Sequence, residues 1–293
     1  MLIGAALGTG LDASARAFAP LFAHSLLGTE VTPRNIPGDQ GMSAIHALIA
    51  APPNGLTLGW MTSPTLSARM VDHSGDEPLL PRLRLLGAVE REPVAFVCPA
   101  AAPLESVQDL IQRSSTDQDA VPLGTPPPGS PPHLAALRLQ VVAQTRLSII
   151  AFPSAAAARQ AVIAGNVAAA ALALSDVFAA LRDEKLVGIG IAARKRSEAL
   201  PDVPVLQEAG VPLSVTIRRG LVAPAGLSDE MAAHLTEAMR TIVADPEFRA
   251  LGDASGFLPA WMDGPAWTAQ VDKERGDLAK LWATDPWLPS NGG

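Results

Sequence analysis

Leu2-Ile3-Gly4-Ala5-Ala6-Leu7-Gly8-Thr9-Gly10-Leu11-Asp12-Ala13 is the stretch whose reading decides the fold. The apolar run from Leu2 to Leu7 predicts a strand, the glycines a tight turn, and Asp12 a cap for a helix reaching about Leu27. Strand, turn and helix in that order begin an α/β unit. Gly8-Thr9-Gly10-Leu11-Asp12-Ala13 also has the spacing G-x-G-x-x-A, and Glu30 stands about where a ribose-binding acid is sought. One reading is therefore a nicotinamide-dependent oxidoreductase. Two features oppose it: the chain has no tyrosine for Tyr-Lys proton transfer, and Glu30 precedes its strand, which begins at Val31. The same residues suit a smaller anion. Glycines allow close backbone approach, and open N–H groups at a helix start attract a carboxylate. A plain tight turn is the third reading.

Outward from this stretch the rhythm repeats. Strands are expected at Val31–Ile36, Leu56–Met61, Leu83–Val89 and Val94–Pro99, with helices at Met42–Ala50, after Pro64 and at Leu104–Arg113. Val121–Gly124, Leu147–Phe152, Val167–Leu174 and Val187–Ala192 read as further strands, with helices at Pro131–Gln144 and Ser154–Ala164. Ser175-Asp176 reads as a helix cap, and helices are expected over Ser228–Ala244 and Pro265–Ala283. The alternation predicts α/β layers with a mainly parallel sheet. Proline-containing passages at Pro99–Pro103 and Gly220–Gly226 divide the chain. Residues 1–100 with 221–293 form one expected lobe and 101–220 the other, with a cleft between them where ligands concentrate.

A second glycine loop falls in the second lobe: Gly124-Thr125-Pro126-Pro127-Pro128-Gly129-Ser130-Pro131-Pro132-His133. Ser130 is a good N-cap and Pro131 a good first helical residue, while the prolines before them stiffen the loop. It reads as a rigid connection or as half of a clamp.

Composition limits the function. The chain has 293 residues, 48% hydrophobic and 17% charged, with net charge −7, so no nucleic-acid footprint is expected. Cys98, in an apolar run, is the single cysteine; it excludes an internal disulfide and leaves the redox compartment open. The five histidines show no metal-ligand spacing, and G-x-S-x-G and Walker A motifs are absent. No metal, cofactor or catalytic set is expected. Met1 to Gly8 lacks a basic leader, which leaves a cytoplasmic protein or a targeting peptide removed ahead of it.

In order, the motifs resemble one family. The loop ending in Asp12 with Ala15-Arg16 is followed by Asn35-Ile36-Pro37-Gly38 with Gly41, then Pro53-Asn54-Gly55-Leu56-Thr57-Leu58. Next come Ser130-Pro131-Pro132-His133-Leu134, Ala164-Gly165-Asn166-Val167 and, most specific, Arg196-Ser197-Glu198-Ala199-Leu200-Pro201-Asp202-Val203-Pro204 with Glu208-Ala209-Gly210. Gly220-Leu221-Val222-Ala223-Pro224-Ala225-Gly226 completes the set. The chain resembles the Bug-type solute receptors of tripartite tricarboxylate transporters over nearly its whole length.

The resemblance implies a two-lobed periplasmic-binding-protein-like fold that closes on a small carboxylate. It implies a monomer in the periplasm, its signal peptide absent here, handing cargo to membrane permease subunits. A receptor-like sensing domain is the neighbouring alternative. The ligand-binding residues implied are Gly8, Thr9, Gly10, Leu11 and Asp12 from the first loop, and Thr62 and Ser63 from the loop after the third strand. Thr125, Gly129, Ser130 and His133 come from the second loop, with Ser175. Departures from the family pattern single out other positions. Phe152-Pro153-Ser154 replaces a Tyr-Lys-Gly, Leu172 stands at a usual acid, and Arg218-Arg219 replaces an aromatic pair. The pair reads either as two solvated arginines or as one that clamps a second ligand carboxylate, and the clamp, with Leu172 in place of an acid, points to a dicarboxylate without an amine.

Overall fold

The longest strand, β4, runs from Leu83 to Pro99, and the chain divides part way along it. The computed structural model describes residues 1–26, 29–73, 77–101 and 104–288. One unit comprises Met1–Arg91 and Arg218–Trp282; the other comprises Glu92–Ile217 and the chain from Ala283. The crossings therefore fall at 91/92 and 217/218, compared with the expected 100/101 and 220/221. They lie inside extended strands, β4 and β9 (Thr216–Pro224), and not in the proline-containing loops beyond them. Of the first such loop, Ala102 and Pro103 lie outside the described residues.

In the first unit the strands β1 (Leu2–Ile3), β2 (Arg34–Asn35), β3 (Gly59–Ser63) and β10 (Leu258–Asp263) join β9 and the first half of β4. The order is β2-β1-β3-β9-β4, with β10 also on β4. Side chains alternate between faces, as a two-residue period requires. Trp60, Leu86 and Leu221 pack with Phe18, Met239 and Phe248, from helices α1 (Gly10–Ser25), α8 (Asp229–Ala244) and α9 (Pro246–Ser255). Met61, Leu85 and Val222 pack on the other face with Met42, Leu66 and Trp267. These come from α2 (Met42–Ile49), α3 (Thr65–Asp72) and α10 (Gly264–Thr284).

In the second unit β4 lies between β7 (Ala169–Ala173) and β8 (Leu186–Ile191), and β5 (Leu123–Thr125) and β6 (Ile149–Ala151) follow β7. Helices α4 (Val107–Thr116) and α5 (Pro131–Ala143) cover one face with Leu110 and Leu139 against Phe96. Helices α6 (Ala155–Ile163) and α7 (Leu174–Arg182) cover the other with Val162 and Phe178 against Val97. With both faces covered, β7 is buried at every residue, which explains its uninterrupted apolar sequence.

Three expectations need correction. The sheets are mixed and not mainly parallel: β3–β9, β4–β10, β4–β7 and β4–β8 pair antiparallel, while β1–β2, β1–β3, β5–β6 and β5–β7 pair parallel. A helical crossover makes parallel neighbours; β9 instead enters unit one directly from unit two and runs against β3. The strands expected at Leu83–Val89 and Val94–Pro99 are one strand, because Glu90 and Glu92 are buried within it. The strand expected at Val31–Ile36 shrinks to Arg34–Asn35, bounded by Pro33 and Pro37, which cannot donate to a ladder. The first helix ends at Ser25, and Leu27, its expected end, lies outside the described residues.

Candidate functional site

β1 and β3 are parallel neighbours, Leu2 opposite Gly59 and Ile3 opposite Trp60, so the loops that follow them leave one edge of the first unit's sheet. Ligands of α/β sheets concentrate at this carboxyl edge. β9 begins at the same edge, with Arg218 opposite Ser63.

The first loop is held by its own side chains. Thr9, not Asp12, is the N-cap of α1: its hydroxyl accepts from the Asp12 N–H at 3.3 Å and donates to the Ala6 carbonyl at 2.9 Å. The buried Asp12 carboxylate folds back, accepting from the Gly8 N–H (2.9 Å), Arg16 Nε (2.8 Å) and Asn35 Nδ2 (2.9 Å). Gly8 has φ +78°, which only glycine adopts cheaply. Burial alone would raise the Asp12 pKa, but the Gly8 N–H, the Asn35 amide and Arg16 outweigh it and hold the carboxyl below its ordinary value. Asp12 is thus an internal brace. The N–H groups of Thr9, Gly10 and Leu11 find no acceptor among the described residues, as the first donors of an α-helix do not. Glu30, sought as a ribose partner, is exposed ahead of β2 and accepts from the Thr32 hydroxyl at 3.2 Å.

Four other candidates in this unit separate by face. Ser63 is fully buried, its Oγ accepting from Trp267 Nε1 at 3.0 Å, whereas Thr62 is partly exposed on the opposite face. Arg219 is buried: Nη1 donates to Glu90 at 3.3 Å, and Glu90 accepts from the Ser14 hydroxyl at 2.9 and 3.0 Å. Trp60 Nε1 donates to Ser14 at 3.1 Å and completes the network. Arg218 faces the other way, half-buried, with Nε donating to Gln270 Oε1 at 3.1 Å. Gln270 in turn donates to Glu274 at 2.7 Å. Burial, then the nearby Arg91 charge, lowers the Arg218 pKa against the pull of Glu274. Ser14, Glu90, Gln270 and Glu274 escaped the sequence reading. The one available signal was an arginine inside a buried strand, which requires a partner.

In the second unit β5 is parallel to both β6 and β7, so the loops after all three leave one edge. Ser130 caps α5, accepting from the His133 N–H at 3.4 Å, and Gly129 has φ +76°. His133 is buried with Nδ1 3.0 Å from Thr125 Oγ1; burial pushes its pKa down to about 4, against the pull of Asp285. His133 and Thr125 brace each other beneath the loop. α7 starts at this edge without a side-chain cap: its N-cap is Ala173, and the Ser175 N–H donates to Glu92 at 2.8 Å. The expected Ser175-Asp176 cap is therefore replaced by a glutamate from β4. Among the described residues, no group of three or more His, Cys, Asp or Glu side chains could hold a metal ion, and no helix is long and apolar enough to cross a membrane.

Residues 15–275 match the model of the tripartite tricarboxylate transporter family receptor. A UPF0065 protein of Bordetella bronchiseptica is 26% identical over 88% of this chain and 75% of its own. Among solved structures, a Rhodopseudomonas palustris protein with adipate shares 19% identity and a TM-score of 0.88, covering 97% of this chain and 95% of that one. MatC from Rhodopseudomonas palustris, with bound malate, shares 22% identity and a TM-score of 0.84, covering 96% of this chain and 97% of that one. At these identities the structural likeness establishes the fold.

Proposed function

The chain belongs to the tripartite tricarboxylate transporter receptor family, and from that premise we propose that it is a non-catalytic periplasmic receptor for a small carboxylate. It acts as a monomer and delivers its cargo to membrane permease subunits. The observation that carries the reading is the run of open N–H groups at Thr9, Gly10 and Leu11, at the start of a sixteen-residue helix and at the carboxyl edge of its sheet. Such a start favours an anion through both its donors and its dipole. Arg218 stands at the same edge, half-buried and bonded through Nε to Gln270, and in this reading it meets a second carboxylate. The malate and adipate carried by structural neighbours are ligands of this kind.

A thermal-shift screen with mono-, di- and tricarboxylates tests the reading. A ligand at a hundredfold excess over its dissociation constant stabilises by about 2.7 kcal/mol, readily visible as a shift in Tm. A shift with carboxylates and none with their amides or with NADH is expected; a shift with NADH alone would overturn the receptor reading.

A further inference from the structure

We infer that this receptor selects acids with an apolar body, because the loop that opens α5 offers a ligand hydrocarbon in place of amide donors. The inference rests on the carboxylate reading and narrows it. Along residues 126–134, Pro126, Pro127, Pro128, Pro131 and Pro132 have no N–H at all. The Ser130 N–H is given to the Pro127 carbonyl at 3.1 Å, that of His133 to Ser130 Oγ at 3.4 Å, and that of Leu134 to the Ser130 carbonyl at 2.9 Å. Only the Gly129 N–H, in a buried residue, finds no acceptor among the described residues. Proline at the first helical position deletes a donor the helix itself does not use, but it is one an anion would use. Pro132 at the second position deletes the next. The Thr9–Leu11 stretch suffers neither loss.

What this loop presents instead, together with the Phe152-Pro153 turn beside it, is apolar. Thr125 on β5 lies opposite Ala151 on the parallel strand β6, so Phe152-Pro153 leaves the sheet beside Pro126-Pro127-Pro128. Phe152 packs on Gly124, where a Cβ would sit 3.2 Å from the ring, and its N–H is taken by the Thr125 carbonyl at 2.8 Å. Pro127, Pro128 and Phe152 are partly exposed and Pro153 is exposed. A hydroxyl or carboxylate seated on this surface would shed water without gaining an N–H, whereas a methylene chain or ring would gain contact.

Calorimetric titration of the purified chain with hexanoate and adipate against malate and citrate tests the inference, alongside Pro132→Ala, which restores one helix-start N–H. Hexanoate or adipate should bind the parent chain about tenfold or more tighter than malate or citrate. Pro132→Ala should strengthen malate about threefold or more and leave hexanoate unchanged. Malate or citrate binding the parent as tightly as the apolar acids would overturn the selection. So would an unchanged malate-to-hexanoate ratio in a folded Pro132→Ala. Binding of none of the four acids would remove the carboxylate reading itself, and this inference with it.

Discussion

Arg219 lies buried against Glu90, while Arg218, the next residue back along β9, turns to the opposite face and meets Gln270. Substituting each therefore has a different consequence. Arg219→Gln leaves a buried carboxylate short of its cation, and chemical denaturation should show a loss of about 3 kcal/mol or more of stability. Arg218→Gln should fold normally and lose about 1.5–3 kcal/mol of affinity for a dicarboxylate such as adipate, the range for hydrogen bonds to charged groups. Equal affinity of Arg218→Gln and the parent would remove Arg218 from the site. His133 sets a pH dependence. Its folded pKa of about 4 lies below the ordinary 6.5, so between these values the unfolded chain binds a proton that the folded chain refuses. Stability from this group is undiminished above pH 6.5 and declines as pH falls toward 4. Unfolding measured from pH 7 to pH 4 should show the parent losing on the order of 3 kcal/mol more than His133→Gln. The strand period made the divergence of the two arginines legible in the sequence. Their partners were not, because Glu90 and Gln270 reach them only through long-range strand and helix packing.

At the scale of elements, helix starts were the most legible feature, because capping chemistry is local. Ser130, Ser154 and Ser228 each cap the helix that follows them, as their place before an apolar run implies. Thr9 was missed in favour of Asp12 because both carry cap chemistry; the structure chose Thr9, and Asp12 reached back to the Gly8 N–H. Strand continuity was harder to read. Glu90-Arg91-Glu92 resembles a break between two strands, yet each buried glutamate meets a donor, Ser14 for one and the Ser175 N–H for the other. Ser130→Ala tests the local account: removing the cap should cost about 0.5–2 kcal/mol in thermal unfolding, with hexanoate affinity held within about twofold. A larger loss of affinity than of stability would place the hydroxyl itself on the ligand.

For the whole molecule, the α/β class was legible from rhythm alone, and the family from motifs in order. The crossing points were not, since nothing local distinguishes a strand that passes from one unit to the next from one that ends. The account of function rests on one loop among all the helix starts of the chain. Its most direct test maps every amide of the ¹⁵N-labelled chain by two-dimensional NMR during titration with adipate. The Thr9, Gly10 and Leu11 amides should move downfield with a common binding curve, as N–H groups gaining a carboxylate acceptor do, while the Ser130 and Leu134 amides, already donated, should not. Saturable binding that leaves the Gly10 and Leu11 amides unmoved would contradict the account.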